Sequence, residues 1–133
     1  MKYHLSDSFI CATTEMAEIT KPVSAPYLRR SFSLPENPEE AVLTVSALGF
    51  YELWVNGVRL TKGLLSPYIT NPDDVLDYDF YDIAPYLQTG ENVLAFQLGN
   101  GMQNAMCGYV WDFDKASFRS SPLLSVFCGM TFS

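Results

Sequence analysis

The residues best suited to chemistry lie close together at positions 100–119, where aromatic rings alternate with polar groups. Aromatic faces pack against the C–H faces of sugars, and amide, carboxylate and guanidinium groups hydrogen-bond to sugar hydroxyls. The segment is therefore a candidate carbohydrate-binding loop, with the candidate contacts Asn100, Asn104, Tyr109, Trp111, Asp112, Asp114 and Arg119. The competing interpretation is that these aromatic side chains only pack against the domain or against a neighbouring domain.

A further candidate ring, Trp54, lies in "FYELWVNGVRL", residues 50–60. Asn56-Gly57 is a strong hairpin signal, because a type I′ turn needs positive φ at both central residues. Alternation along the strand places Trp54 on the face opposite to Tyr51, Leu53 and Val55. Its position beside a tight turn argues mainly for an architectural role, so Trp54 is a secondary candidate for sugar contact.

Catalytic arrangements are not recognisable in the sequence. The chain has 15 acidic residues, but no spacing marks out a glycosidase-type pair. His4 is the only histidine and lies near the N-terminus, so a Ser–His or Cys–His dyad would depend on a terminal residue. The segment "GNGMQNAMCG" does not fit the strand–loop–helix pattern of a dinucleotide site. We therefore expect no catalytic residues and no enzymatic activity in this chain by itself.

An acidic run at positions 73–82 is the feature that could attract a cation. Carboxylate oxygens suit Ca²⁺, although the run lacks the spacing and the glycine of an EF-hand loop. Such runs more often form a solvated face or a protected edge. Ca²⁺ is thus the one cofactor considered, and no metal ligand is assigned among Asp73, Asp74, Asp77, Asp79 and Asp82.

Charge and composition exclude several classes of partner. The net charge of −7 argues against nucleic acid and against anionic membranes, and no apolar stretch approaches the ~20 residues of a membrane helix. The N-terminus lacks the apolar core of a signal peptide. The three cysteines show no C-x-x-C spacing. These features predict a cytoplasmic protein with reduced thiols, and one disulfide plus a free cysteine is the alternative.

The elements that must position the candidates are short strands separated by turn signals. Alternating or apolar runs occur in "YLRRSFSL", "AVLTVSALGF", "YELWV", "VLDYDFYDI", "VLAFQLGNG" and "PLLSVFCGM". Between them, "DIAPYLQTG" suits a single helical turn that begins at Asp82 and ends before Gly90. This pattern predicts an all-β fold, an antiparallel β-sandwich of jelly-roll type. Residues 1–26 are predicted as an arm that packs on a sandwich domain of residues 27–133.

Three blocks in the same order resemble a known family. "GFYELWVNGVRL", "YDFYDIAPYLQTGENVLAFQLGNG" and "WDFDKASFRSSP" are similar to the N-terminal β-sandwich domain of bacterial α-L-rhamnosidases. More broadly, they resemble the galactose-binding-like jelly-rolls that precede the catalytic domains of glycoside hydrolases. The chain departs from the family pattern after "GNG", where Met102-Gln103 stands in place of the aromatic residue that is common in relatives.

The resemblance implies that the chain is a non-catalytic accessory domain of an inverting α-L-rhamnosidase. In that family hydrolysis belongs to a separate (α/α)₆ barrel, for which 133 residues leave no room. The implied role is to brace the catalytic domain, with the other domains of the enzyme as partners and L-rhamnose or rhamnosides as further ligands. Some sandwich modules of this family bind rhamnose with Ca²⁺. The alternative is a free-standing lectin-like carbohydrate-binding module.

Overall fold

Seven strands form two antiparallel sheets in the computed structural model, which describes residues 4–106 and 112–133. In chain order they are β1 Tyr27–Leu34, β2 Glu40–Leu48, β3 Phe50–Val55, β4 Val58–Arg59, β5 Asp79–Asp82, β6 Gly90–Gly99 and β7 Leu123–Thr131. The first sheet has the order β1-β6-β3-β4 and the second has the order β5-β2-β7. The predicted all-β antiparallel sandwich is confirmed.

The hydrophobic core lies between the two sheets, because each strand turns alternate side chains inward. The inward residues are Ala41, Leu43, Val45 and Ala47 of β2, Tyr51, Leu53 and Val55 of β3, and Phe96 and Leu98 of β6, and all of them are buried. The inward face predicted for the first arm of the hairpin is therefore confirmed. Burying a valine, leucine or phenylalanine side chain contributes about 1.5–3 kcal/mol. These alternating positions therefore supply much of the stability of the domain.

The hairpin between β3 and β4 turns at Asn56 and Gly57, which have φ of +48° and +83°. Both values are positive, as the Asn-Gly pair predicts. The asparagine also ties the turn to the sheet, since its Oδ1 accepts the Val93 N–H at 2.8 Å. The turn is thereby joined to β6 as well as to its own two strands.

Replacing Gly57 with valine should lower the free energy of unfolding by about 1–2 kcal/mol, the cost of placing a side chain in the left-handed region. A Cβ at Gly57 would meet no atom within 4 Å, so the backbone conformation alone would cause the loss. Urea denaturation monitored by tryptophan fluorescence would measure it. Gly63→Val is the matched control, because Gly63 has equally open surroundings and no positive φ. Equal losses in the two variants would contradict this explanation.

A 3₁₀ turn at Ala84–Tyr86 follows β5, where the sequence predicts a single helical turn. Asp82 Oδ1 accepts the Ala84 N–H at 3.1 Å, and Pro85 occupies an early position, where its missing N–H is not needed. Gly90 begins β6 with a φ of +88°. The predicted single turn is confirmed, although it is only three residues long and begins at Ala84 rather than at Asp82.

The strand predicted from "VLDYDFYDI" is shorter than its alternating pattern and has its acidic face turned inward. β5 begins only at Asp79, which lies opposite Val45 of β2 in the register. Directly opposite residues point to the same face of a sheet, and Val45 is buried in the core. The prediction of a solvated acidic face is therefore wrong for Asp79. It is confirmed for the exposed carboxylates Asp73, Asp74 and Asp82.

The segment of residues 4–26 runs along the sandwich and contacts it at several points. Ile10 pairs with Leu124 of β7 through two backbone hydrogen bonds of 2.9 Å. The Leu98 N–H of β6 donates to the Pro26 carbonyl at 2.9 Å. The domain boundary at residue 26 stays a prediction. None of the helices in the described residues has the length and apolar character needed to span a membrane.

Candidate functional site

The first group of polar side chains near the end of β6 anchors the N-terminal segment. Asn104 is 1% exposed, and its Oδ1 accepts the Ala17 N–H at 2.8 Å. Its Nδ2 donates to Asn100 Oδ1 at 3.2 Å, and Asn100 Nδ2 donates to the Val23 carbonyl at 2.7 Å. The bonds to Val23 and Ala17 join residues that are 77 and 87 positions apart in the chain.

Arg119 and Ser121 complete this arm-anchoring cluster, which we define as Asn100, Asn104, Arg119 and Ser121. Arg119 Nη2 donates to the carbonyls of Ala17 and Ala105, and Ser121 Oγ donates to the Thr13 carbonyl. Hydrogen bonds between a charged group and a carbonyl are stronger than neutral ones. The cluster therefore fixes residues 13–23 against the end of the sandwich.

The other predicted sugar contacts lie elsewhere or outside the described residues. A second 3₁₀ turn is formed by Phe113–Lys115. Asp112 and Asp114 are exposed there, and Asp112 forms an ion pair of 3.3 Å with Lys115. Trp54 is half-buried on the outer face of the first sheet, opposite Arg59 of β4. Tyr109 and Trp111 fall outside the described residues, and their role stays a prediction.

Of the predicted contacts, three are thus brought together: Asn100, Asn104 and Arg119. Their amide and guanidinium groups form hydrogen bonds with backbone groups of the N-terminal segment. A sugar at this place would have to compete with that segment for the same donors and acceptors. Sugar binding by the predicted set remains a prediction.

A second polar region, which the sequence patterns did not single out, lies between the segment that follows β4 and the strand β5. It is a cleft of about 420 Å³ that we call the edge cleft. Its lining residues are Leu60, Lys62, Asp79, Phe80, Tyr81, Asp82 and Tyr86. Carboxylate, ammonium and phenol groups beside aromatic rings can hydrogen-bond to and stack on a polyhydroxylated ligand.

Two residues that line the edge cleft, Asp79 and Tyr81, form a hydrogen-bonded group with the buried Tyr51, which we call the Tyr–Asp cluster. Tyr51 OH donates to Asp79 Oδ2 at 2.5 Å and lies 2.8 Å from Tyr81 OH. Tyr51 belongs to the first sheet and the other two to the second sheet, so the cluster ties the sheets together. The signal for it in the sequence is the spacing of Asp79 and Tyr81, two positions apart on one strand face.

Burial sets the ionisation of these tyrosines. It raises the pKa of Tyr51 far above the ordinary value of about 10, and the hydrogen bond to Asp79 raises this pKa further. Burial also raises the pKa of Tyr81, against the opposing effect of its hydrogen bond with Tyr51. Both phenols are therefore neutral donors at physiological pH.

Tyr51→Phe should lower stability at pH 8 by about 1.5–3 kcal/mol, the range for a hydrogen bond to a charged acceptor. The loss should shrink above pH 10. Tyr51 then ionises in the unfolded chain but not in the folded one, so the wild type loses stability by about 1.4 kcal/mol per pH unit. Urea titrations between pH 8 and 11 would measure both effects. Tyr27→Phe, at a residue that is 75% exposed, is the control and should match the wild type throughout. A loss that is constant with pH would contradict the assignment.

The acidic run does not form a metal site in the part of the chain that the structure describes. No group of three or more His, Cys, Asp or Glu side chains within residues 4–106 and 112–133 is placed to hold a metal ion. The carboxylates are instead engaged separately: Asp79 with Tyr51, Asp74 with Asn71 at 2.7 Å, and Asp73 with Ser117. The described residues therefore do not fit a Ca²⁺ ion at this run.

Comparison with known proteins identifies the family. Residues 36–131 match the family model described as the α-L-rhamnosidase N-terminal domain. The chain belongs to the α-L-rhamnosidase N-terminal domain family. It is 36% identical over 96 residues to an α-L-rhamnosidase of Formosa agariphila and 34% identical over 102 residues to one of Streptomyces avermitilis. These matches cover 72% and 76% of this chain but only 10% of each relative. The chain thus spans about a tenth of the length of the curated relatives that it matches.

Solved structures agree with this family. The Streptomyces avermitilis α-L-rhamnosidase, solved in complex with L-rhamnose, superposes with a TM-score of 0.73 at 28% identity. The match covers 85% of this chain and 11% of that one. The native α-L-rhamnosidase of Aspergillus terreus superposes with a TM-score of 0.72 over 97% of this chain and 14% of that chain. At 22% identity, this second likeness shows the fold alone.

The sequence motifs that suggested the family have structural roles in this α-L-rhamnosidase N-terminal domain. The asparagines of the "NG" and "GEN" blocks, Asn56 and Asn92, bond to each other, with Asn56 Nδ2 donating to Asn92 Oδ1 at 2.8 Å. After the "GNG" block, Gln103 is buried, and its Nε2 donates to the Phe118 carbonyl and to Ser120 Oγ. Met102, by contrast, is 43% exposed. This position therefore has a flexible apolar side chain at the surface.

Proposed function

We propose that this domain is a non-catalytic accessory domain of a longer α-L-rhamnosidase polypeptide and that it braces the rest of that polypeptide. The relatives named above are α-L-rhamnosidases, and the chain corresponds to about a tenth of each. In this proposal hydrolysis belongs to another part of the polypeptide. An inverting mechanism there needs two carboxylates about 6.5–9.5 Å apart.

The observation that carries the proposal is the use of the arm-anchoring cluster. Asn104 and Arg119, among the groups best suited to ligand recognition, both bind Ala17 of the chain's own N-terminal segment. Asn104 is buried while it does so. Side chains used in this way stabilise an architecture, which is what a bracing domain requires.

Two activity measurements test this proposal. The purified 133-residue chain should release no nitrophenol from a nitrophenyl α-L-rhamnoside, whereas the longer polypeptide should. Deleting the domain from the longer polypeptide should shorten the half-life of its activity on heating. Turnover by the 133-residue chain itself would overturn the accessory role, and an unchanged half-life after deletion would overturn the bracing role.

A second candidate function, recognition of rhamnose-containing glycans by the domain itself, is favoured by the edge cleft. Its volume of about 420 Å³ and its mixture of carboxylates, Lys62 and aromatic rings suit a sugar residue. Calorimetric titration of the chain with L-rhamnose would then give saturable heat that Tyr86→Ala abolishes and Tyr27→Ala does not. Absence of heat at millimolar sugar would leave bracing as the function.

A further inference from the structure

The long connection between β4 and β5 exposes an unusual number of apolar side chains. We call residues 60–78 the apolar loop. Seven of its large apolar side chains are between 42% and 85% exposed, and Tyr68 is the most exposed of them. They are Leu64, Leu65, Tyr68, Ile69, Val75, Leu76 and Tyr78. Clusters of exposed apolar side chains of this kind mark interaction surfaces more often than single ones do.

The backbone of the apolar loop is hydrogen-bonded to the sandwich, so the exposure of these side chains does not result from an unattached loop. The Tyr51 N–H of β3 donates to the Ser66 carbonyl at 2.6 Å, and Ser46 Oγ of β2 donates to the Asp77 carbonyl at 2.8 Å. Within the loop, Thr70 Oγ1 donates to the Val75 carbonyl at 2.7 Å. The loop therefore presents its apolar side chains to solvent in a definite arrangement.

One residue of the loop also has an unfavourable backbone conformation. Leu65 has a φ of +65° and a side chain that is 64% exposed. A left-handed leucine costs about 1–2 kcal/mol, and an exposed side chain recovers little of that by packing. Strain of this kind persists where another part of the molecule or a partner stabilises the conformation.

The loop also frames a concave apolar surface. A hollow of about 60 Å³ lies between the loop and the end of the sandwich. Tyr68, Ile69 and Pro67 of the loop line it together with Phe50 of β3 and the exposed Met102. A projecting apolar side chain of a partner would fit into a hollow of this kind, as anchor residues do at protein interfaces.

The charged side chains of the apolar loop are mostly acidic, with three aspartates and one lysine, Lys62. Asp73 and Asp74 are exposed at its turn, and the chain as a whole has a net charge of −7. Like charges across an interface are unfavourable, whereas opposite charges at the rim favour association. The complementary surface is therefore apolar with lysine or arginine side chains around it.

We propose that the apolar loop is the face by which this domain docks onto another domain of the same polypeptide, one with an apolar surface rimmed by basic side chains. The proposal rests on the accessory role proposed above and names the surface that performs it. A partner in the same polypeptide is favoured because the chain covers only 10% of its α-L-rhamnosidase relatives. Most of such a polypeptide therefore lies outside this domain. Because it is tethered to the domain, a partner surface in it would be present near the loop at a high effective concentration.

Hydroxyl-radical footprinting of the 133-residue chain and of the longer polypeptide tests the proposal. Oxidation of Leu64, Leu65 and Tyr68 should be about five-fold slower in the longer polypeptide, as expected for residues at the core of an interface. Tyr27 on β1 and Ile19 in the N-terminal segment, also exposed, are the controls and should react equally in both. Equal oxidation of the loop in both samples would overturn the proposal.

Paired variants provide the second measurement. Leu64→Ser with Tyr68→Ser should leave the melting temperature of the 133-residue chain unchanged, because both side chains are exposed there, and should lower that of the longer polypeptide. Ile19→Ser with Tyr27→Ser should change neither. The loop of the 133-residue chain could instead become more protected from oxidation as the concentration of that chain rises. This result would identify a second copy as the partner and overturn the proposal.

The outcomes separate this inference from the proposed function. Protection of a different face in the longer polypeptide would reject the apolar loop and leave the bracing role standing. If no face of the domain is protected, both the docking surface and the bracing role fail. Hydrolysis of a rhamnoside by the short chain would reject the accessory role through an independent assay.

Discussion

Replacing Asn92 with alanine should lower the free energy of unfolding by about 3–5 kcal/mol, because it removes four hydrogen bonds and leaves some of their donors and acceptors unpaired. Asn92 is fully buried. Its Nδ2 donates to the carbonyls of Gln88 and Gly90 at 2.7 and 2.9 Å. Its Oδ1 accepts the Gln88 N–H at 2.9 Å and Asn56 Nδ2 at 2.8 Å. The side chain therefore joins the hairpin turn, the residue Gln88 that follows the 3₁₀ turn of Ala84–Tyr86, and the start of β6.

Chemical denaturation would measure this loss, and a thermal scan should show a fall in melting temperature of about 10–20 °C for a domain of this size. Asn37→Ala is the matched control, because Asn37 is exposed and its side chain accepts a single bond from Thr89 at 3.1 Å. It should change stability by less than about 0.5 kcal/mol. A comparable loss in the two variants would show that the network around Asn92 is not what stabilises the domain.

Gly49→Ala is expected to have an effect of similar size, about 3–4 kcal/mol, from strain and overlap together. Gly49 has a φ of +96°, and an added Cβ would lie 2.4 Å from the Gly99 carbonyl oxygen and 3.4 Å from that of Asn100. Both contacts are to backbone atoms at the end of β6, which cannot move aside as a flexible side chain can. The substitution should also disturb the arm-anchoring cluster, which begins at Asn100.

Two readouts test this expectation. Urea denaturation should give the loss of stability, and limited proteolysis should show faster cleavage within residues 10–26, because Asn100 holds the Val23 carbonyl. Gly63→Ala is the control, with no atom within 4 Å of the added Cβ and no positive φ. A stable Gly49→Ala variant with an unaltered cleavage pattern would disprove the close approach of these two backbone segments.

The strands were predictable from the sequence because their signals are local. Alternation with a period of two marks the inward residues of β3, and an Asn-Gly pair has few conformations other than the tight turn between β3 and β4. The same holds for the turn after Asp82, where an aspartate, a proline and a glycine act within nine residues of one another. Signals of this kind need no knowledge of distant parts of the chain.

The candidate site could be predicted only in part, because hydrogen-bonding side chains do not reveal their partners. Asn104 and Arg119 are polar groups in an aromatic segment, and the sequence alone predicts a ligand for them as readily as a structural partner. Their partner Ala17 lies 87 and 102 positions away in the chain. The face of Asp79 is not predictable from its strand alone for a related reason. It depends on the register with β2, and register is a tertiary property.

By itself, then, the sequence determined the sandwich, its hairpin, its 3₁₀ turn and its family, since periodicity, turn chemistry and ordered motifs are properties of short segments. Only the tertiary structure decided that Asn100, Asn104 and Arg119 hold the N-terminal segment, that Asp79 faces Tyr51, and that the apolar loop is held open to solvent. Each of these depends on contacts between residues far apart in the chain, which chain folding brings together and no local pattern encodes.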